Sequence, residues 1–260
     1  MSRKLSLVAA SQRGPAVTGA GDRLPHPASL RQAVGGVVFD ICNVLYDDTV
    51  WRRWVLKVLG RLGLHTNYRS FFRVWDRDYL AEVHRGRSTF HDAFRTFLAA
   101  AGLSAGQIEE VQAACQTRRR ELQRTARPLP GVKATLAGLH RRGLALAAVA
   151  NSEHPAPVLQ EQLRRFDVAE LFTAVVSSLE LGSTMPDPDC YLAALRALGL
   201  SAGEAAFVGH DTAVLAGASA VGMPAVAFNY DCDARADVYL ARFDELLDLV
   251  APPYPKAAAG

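Results

Sequence analysis

The sequence predicts an α/β protein: a parallel, Rossmann-like sheet core with an α-helical domain inserted after its first strand. Two patterns carry this prediction. Val37, Val38 and Phe39 form an apolar run without polar alternation, which is typical of a strand buried on both faces of a parallel sheet. From Pro128 onward, further apolar runs alternate with stretches of helical periodicity. Since β-α-β crossovers are short and right-handed, these runs are expected to build one parallel sheet.

Each element is predicted from its own pattern of apolar residues. After the first strand, four further strands are expected at residues 144–149, 174–177, 205–208 and 225–228. In the inserted block, helices are expected at 50–62 and 68–79, after Ser88 or Thr89, and after a capping box formed by Ser104 and Gln107. In the second half, helical periods cover 132–139, 158–166, 186–198, 212–221 and 237–250.

The same patterns predict the domain organisation. Residues 35–48 and 126–250 are expected to form the α/β core, and residues 49–125 a helical cap that contains all three tryptophans. Residues 1–34 mix Ser, Gly, Pro and Arg without a sustained period, which predicts a flexible tail, and residues 251–260 predict a disordered one.

Composition excludes several classes of function. Half of the residues are hydrophobic, 21% are charged and the net charge is +3, as in an ordinary globular protein. The one basic run, Arg118 to Arg120, fits the solvated face of a helix better than a nucleic-acid site. No apolar run reaches the roughly 18 residues of a membrane span. The four cysteines are far apart, which favours reduced thiols in a cytoplasmic protein. Nothing selects an oligomeric state.

The first strand ends on a carboxylate, Asp40. Ligands of open α/β sheets bind at the carboxyl ends of the strands, so this acid is a functional candidate. An acid that merely caps the following turn is the alternative.

Taken together, four landmarks make the chain resemble the haloacid dehalogenase superfamily with a helical cap, over residues 36–250. Three of them end or follow a predicted strand and one precedes a predicted helix, and their order and spacing carry the resemblance. The landmarks are Val-Val-Phe-Asp40, Val-Ala-Asn151-Ser152, Met185-Pro-Asp-Pro, and Phe-Val-Gly-His210-Asp211 with the glycines that follow it.

This resemblance implies a mechanism and a set of site residues. Asp40 stands at the nucleophile position, where a carboxylate forms a covalent aspartyl intermediate. Asn151 and Ser152 directly follow the position of the family's anion-binding hydroxyl and are the candidate anion-binding residues, with a turn that caps the next helix as the alternative. Asp40, the carbonyl of Cys42 and Asp211 are the implied ligands of Mg²⁺, which prefers oxygen. His210 is expected to be a turn residue, since no second His or Cys accompanies it.

The sequence departs from the family pattern at four positions. Cys42 stands where a phosphatase has its leaving-group acid, and Ala150 replaces a hydroxyl residue. Met185 stands where the family places a lysine, and Val214 follows Asp211 where a second acid would support the metal. A thiol is a weak acid and a thioether carries no charge, so each change removes a catalytic contribution.

Two functions remain open. The first is a hydrolase, weak or impaired, in which Asp40 attacks a small phosphorylated or halogenated anion bound under the cap. The second is a catalytically degenerate member of the fold that serves as a binding or regulatory module, because catalytic residues that act together also fail together.

Overall fold

The computed structural model of this chain describes residues 34–250. The two predicted tails, residues 1–34 and 251–260, lie outside this range except for Val34. The described residues form two compact units. One contains Thr49–Glu82 and Ser88–Thr125, and the other contains Val83–Arg87 together with residues 34–48 and 126–250. None of the helices in residues 34–250 combines the length and hydropathy that crossing a membrane requires.

The second unit is built on a parallel sheet of six strands in the order β3-β2-β1-β4-β5-β6. The strands are β1 (Gly36–Asp40), β2 (Ala145–Ala150), β3 (Ala174–Ser177), β4 (Ala205–Gly209), β5 (Ala225–Phe228) and β6 (Val238–Leu240). The predicted parallel core is therefore confirmed. Strand β1 lies between β2 and β4 near the middle of the sheet, which places Asp40 between two neighbouring strand ends.

Helices cover both faces of this sheet. The helices of the unit outside Val83–Arg87 are α6 (Val132–Arg141), α7 (Ala156–Arg165), α8 (Ser178–Leu181), α9 (Pro188–Leu198), α10 (Thr212–Ala220) and α11 (Leu246–Leu249). Val37 and Phe39 belong to one buried apolar cluster with residues of α6 and α7, and Val38 belongs to another with residues of α9 and α10. This alternation explains why β1 carries no polar residue before Asp40.

The helix predicted over residues 237–250 is wrong. The chain instead forms β6, then a 3₁₀ turn at Phe243–Glu245 and the single-turn helix α11. Val238 and Leu240 are buried while Tyr239 between them is partly exposed, which is the alternation of a strand with one covered face. The edge of β5 offers backbone partners to these residues, and pairing with it prevails over the helical spacing of their side chains.

The helical unit has the elements that its periodicity predicts. It contains α1 (Val50–Arg61), α2 (Tyr68–Val74), a π-helical segment (Trp75–Leu80), α4 (Phe90–Ala100) and α5 (Ala105–Thr125), and α3 (Ala81–His84) continues from the π-helical segment. Thr89 caps α4 by accepting from the Asp92 N–H at 3.1 Å. The predicted capping box is present, since Ser104 N–H donates to Gln107 Oε1 at 2.9 Å.

Glycine at position 217 permits a close contact of α10 with α9 and with the segment that precedes α9. A Cβ at this position would lie 2.6 Å from the Tyr191 hydroxyl oxygen and 2.8 Å from the backbone oxygen of Pro186. Gly217→Ala is therefore expected to destabilise the protein by about 1–3 kcal/mol, the usual cost of overpacking, as measured by urea unfolding.

Gly106→Ala is the matched control, because Gly106 also lies in a helix but a Cβ there meets nothing within 4 Å. It is expected to be neutral or to stabilise by up to about 1 kcal/mol, since alanine is the better helix former. Equal unfolding free energies for the two variants would show that the contact at Gly217 tolerates a methyl group.

Candidate active site

Asp40 is the last residue of β1, and the sheet register decides what lies beside it. Asp40 pairs with Val149 of β2, and Phe39 pairs with Val208 of β4. The residues that follow Val208 therefore run alongside Asp40. These are Gly209 and then His210, which the chain places directly after the end of β4.

The carboxylate of Asp40 is buried and has two close polar neighbours. Asp40 is 4% exposed, and its Oδ1 accepts a hydrogen bond from the Cys42 N–H at 3.2 Å. Its Oδ2 lies 3.5 Å from Nδ1 of His210. That distance is at the outer limit of a hydrogen bond, and within residues 34–250 this nitrogen makes no bond of good geometry. The pair is best described as a close polar contact.

His210 is the titratable group that faces Asp40. Burial by itself lowers the pKa of this imidazole, but the hydrogen-bonding contact and charge of Asp40, with smaller contributions from Asp211 and Asp48, outweigh it. The pKa of His210 therefore lies above its ordinary value. The prediction that His210 is only a turn residue missed this contact.

Cys42 provides a backbone donor rather than an acid or a nucleophile. Burial raises the pKa of its thiol well above the usual value, and the charges of Asp48 and Asp40 raise it further. The group is consequently a neutral thiol at physiological pH, where the nucleophilic form would be a thiolate. Its high pKa also makes it a poor proton donor to a leaving group, as its residue type predicts.

Asn151 and Ser152, the predicted anion-binding residues, both have structural partners. The Asn151 side chain brackets the backbone of Met185: Oδ1 accepts from the Met185 N–H at 2.8 Å, and Nδ2 donates to the Met185 oxygen at 3.0 Å. The Ser152 N–H donates to Ser178 Oγ at 3.0 Å, and Ser152 Oγ accepts from the His154 N–H at 3.0 Å. These bonds hold the loop after β2, and the anion-binding role stays a prediction.

The positions where the family places a hydroxyl and a lysine are apolar here. Ala150, at the end of β2, is fully buried, and Met185 is 4% exposed. The Met185 side chain belongs to the apolar cluster that also contains Val149 and Tyr191. Neither residue can offset the charge of an incoming anion, so Met185 serves packing.

Asp211 caps a helix. Its Oδ1 accepts from the N–H groups of Ala213 at 2.8 Å and Val214 at 3.0 Å, which is the N-cap arrangement for α10. Val214 itself is 7% exposed, and its carbonyl accepts a hydrogen bond from the Tyr191 hydroxyl at 2.7 Å. The segment after β4 is thus built from a cap and apolar packing.

Comparison with known proteins identifies the family. The model of the haloacid dehalogenase-like hydrolases matches residues 34–222, most of the chain. The chain belongs to this family. The family resemblance read from the four landmarks is therefore confirmed, and the parallel core found here is the fold that its members share.

The chain is similar to phosphatases and dehalogenases alike. It is 28% identical over 237 residues to a phosphoglycolate phosphatase of Yersinia pseudotuberculosis, covering 85% of this chain and 95% of the relative. A 2-haloacid dehalogenase of Pseudomonas syringae superposes with a TM-score of 0.55 at 22% identity, covering 83% and 97% of the two chains. The magnesium-bound hydrolase YfnB of Bacillus subtilis gives 0.63 at 14% identity, covering 84% and 99%. At such identities the two structures show the fold alone.

The residues around Asp40 do not fit the magnesium ion that the family implies. Mg²⁺ requires near-octahedral oxygen ligands. Here a ring nitrogen of His210 lies beside Asp40, and Asp211 is engaged as a helix cap. Across residues 34–250, no group of three or more His, Cys, Asp or Glu side chains could hold a metal ion. The set of Asp40, Asp211 and Cys42 stays a prediction, and the contacts of Asp211 count against it.

Proposed function

We propose that this member of the family is a slow hydrolase in which Asp40 is the nucleophile and the substrate is a small phosphorylated or halogenated anion. The observation that carries the proposal is the Asp40–His210 pair at the end of the central strand β1. Asp40 is 4% exposed, and a carboxylate with so little water around it is well placed to attack. With a proton on Nδ1, the His210 ring directs the positive end of its N–H dipole at Asp40 and limits the repulsion of the carboxylate from an anionic substrate.

The chemistry needs two displacements. In the first, an Asp40 oxygen bonds to phosphorus or carbon, and the bond to the leaving group breaks with its electron pair. In the second, a water oxygen bonds to the phosphorus, or to the ester carbonyl carbon of an alkyl intermediate, and the bond that joins the group to Asp40 breaks. Phosphate or the hydroxy acid leaves, the carboxylate is restored, and the proton of the attacking water passes to solvent. A halide leaves as a stable anion, whereas the oxygen leaving group of a phosphate ester must take a proton from water, because Cys42 is a poor acid.

The same residues explain why turnover should be slow. Met185 and Ala150 are buried apolar groups at positions where charge or a hydroxyl would stabilise the transition state, and each such loss typically costs a factor of about 10²–10³. A phosphate dianion adds more negative charge beside Asp40 than a haloacid monoanion does. The charge balance therefore favours a halogenated substrate, whereas similarity to the phosphoglycolate phosphatase favours a phosphorylated one.

We also propose that the protein is cytoplasmic, because its four cysteines are widely spaced in the sequence, as in proteins whose thiols stay reduced.

A substrate panel with detection of the intermediate tests the proposal. Purified protein is incubated with p-nitrophenyl phosphate, 2-phosphoglycolate and chloroacetate, and release of product or halide is measured. Acid-quenched samples are then digested and searched by mass spectrometry for a phosphoryl or alkyl adduct on the peptide that contains Asp40. Slow release with an adduct on Asp40 is the expected result. Folded protein that releases nothing from any of the three would contradict it.

The second candidate is a binding module that has lost turnover. It is favoured by Asn151 and Asp211, because Oδ1 of each accepts from backbone N–H groups and so supports the fold rather than the chemistry of turnover. This function predicts that 2-phosphoglycolate or chloroacetate raises the melting temperature of the protein without being consumed. Consumption of either substrate probe would decide for the hydrolase.

A further inference from the structure

His210 is held by loops that follow two other strands of the sheet. Its Nε2 lies 3.3 Å from the side-chain nitrogen of Asn43, in the loop after β1. Its backbone oxygen accepts from the Asp231 N–H at 3.2 Å, in the loop after β5. A third bond joins these loops, since Asn229 Nδ2 donates to the Asn43 oxygen at 2.9 Å. The ring is thus fixed from the side opposite Asp40.

Both asparagines adopt a backbone conformation that most residues avoid. The φ angle is 59° at Asn43 and 50° at Asn229, in the left-handed region. Asparagine tolerates this region better than other side chains, but it still costs energy, and such residues concentrate at functional sites. These two asparagines are bonded to each other, and Asn43 also reaches His210, so both left-handed residues take part in the contacts that hold the ring.

The position beside the Asp40 carboxylate is therefore occupied by the His210 side chain. The imidazole lies 3.5 Å from the carboxylate, Asp211 caps α10, and Val214 brings a buried apolar side chain to the first turn of that helix. We propose that His210, positioned by Asn43 and Asn229, takes the place beside Asp40 that the family gives to Mg²⁺, and that no divalent cation binds at this site. Its bearing on catalysis rests on the proposed function, but the arrangement itself is independent of turnover.

Thermal melting in the presence of metals tests the proposal. Mg²⁺ and Mn²⁺ at millimolar concentration are expected to change the melting temperature of the natural protein by less than about 1 °C, since a ligand that does not bind the native state cannot stabilise it. A saturable rise that Asp40→Asn abolishes would overturn the proposal.

A double variant shows whether His210 and Val214 are the cause. His210→Asp with Val214→Asp supplies two carboxylates after β4 and is expected to gain a metal-dependent rise of about 3 °C or more. His210→Asn with Val214→Asn is the matched control without the charges, and it should gain none. A folded acidic variant that shows no gain would overturn the assignment of His210 to the metal's place.

Spectroscopy of the natural protein keeps the proposal testable if the double variant does not fold. The ring nitrogens of His210 are observed by ¹⁵N NMR and assigned with His210→Gln. Substoichiometric Mn²⁺, a paramagnetic probe, should leave these signals sharp, and selective broadening would overturn the metal-free site.

The same signals test the positioning role of Asn43. Asn43→Gly removes the amide but keeps the left-handed backbone, so the Nε2 signal should shift while the fold is retained. Asp167→Gly is the control, because Asp167 also has a positive φ, of 56°, and its exposed side chain pairs with Lys133. An unchanged Nε2 signal in Asn43→Gly would refute the positioning role.

These measurements separate the inference from the proposed function. A protein that ignores metals and keeps its His210 signals but turns over no substrate leaves the inference standing and removes the hydrolase. A protein that hydrolyses a substrate only with bound Mg²⁺ does the reverse.

Discussion

Asp40→Asn is expected to reduce hydrolysis of every accepted substrate by at least about 10³-fold, to the background rate. The neutral amide is a far weaker nucleophile than the carboxylate, and no described contact supplies another one: the pKa of the Cys42 thiol is raised, and Asp211 caps a helix. The measurement is the initial rate of product or halide release, with circular dichroism to show that the variant remains folded.

Asp47→Asn is the matched control for this substitution. Asp47 is exposed and lies in the loop after β1, seven residues after Asp40. Its replacement makes the same change in net charge and is expected to keep the rate within about twofold, because surface substitutions have small effects. If Asp40→Asn kept a tenth or more of the natural rate, Asp40 would not be the nucleophile.

Trp75→Ala is expected to lower the free energy of unfolding by about 3–5 kcal/mol, the range for removing a large aromatic side chain from a core. Trp75 is fully buried at the start of the π-helical segment. Its ring centroid lies 5.3–6.2 Å from those of four other rings, of Tyr79, Phe90, Phe94 and Phe97. Urea unfolding followed by far-ultraviolet circular dichroism measures the loss.

Trp75→Phe separates the aromatic contacts from the indole nitrogen. Nε1 of Trp75 is buried without a hydrogen-bond partner among residues 34–250, and an unsatisfied buried donor costs about 1–3 kcal/mol. Phenylalanine removes this donor and keeps most of the aromatic contact, so its net effect should stay within about 1 kcal/mol. A loss as large as that of Trp75→Ala would mean that the nitrogen itself stabilises the helical unit.

Strands with two covered faces could be predicted from sequence, whereas an edge strand could not. Ala225–Phe228 is apolar throughout, and the structure confirms its predicted bounds. Val238–Leu240 alternates over only three residues, and its neighbours continue with apolar spacing that suits a helix. Pairing with the edge of β5 decides between a strand and a helix here. That pairing is a tertiary contact, which a short stretch of sequence does not reveal.

The site could be predicted at Asp40 but not around it. A carboxylate that ends a buried strand is visible in sequence, and the four landmarks add the family to it. The pairing of Asp40 with His210 depends on the register of β1 against β4. The bond from Asn229 to Asn43 spans 186 positions of the chain. The sequence did contain one signal for these contacts. His210 and Asn229 directly follow apolar strands, and Asn43 follows one by three residues.

The shortness of β6 has a consequence for how the protein behaves at high concentration. An exposed strand edge can template the addition of a strand from another molecule, and the risk grows with its length. On this side the sheet ends in a strand of three residues, Val238–Leu240, which is followed within a few residues by the turn at Phe243–Glu245. The edge of β6 therefore offers few free backbone groups to which a strand of another molecule could pair. Its shortness limits aggregation at this edge, although the strand contains no charged residue and no proline.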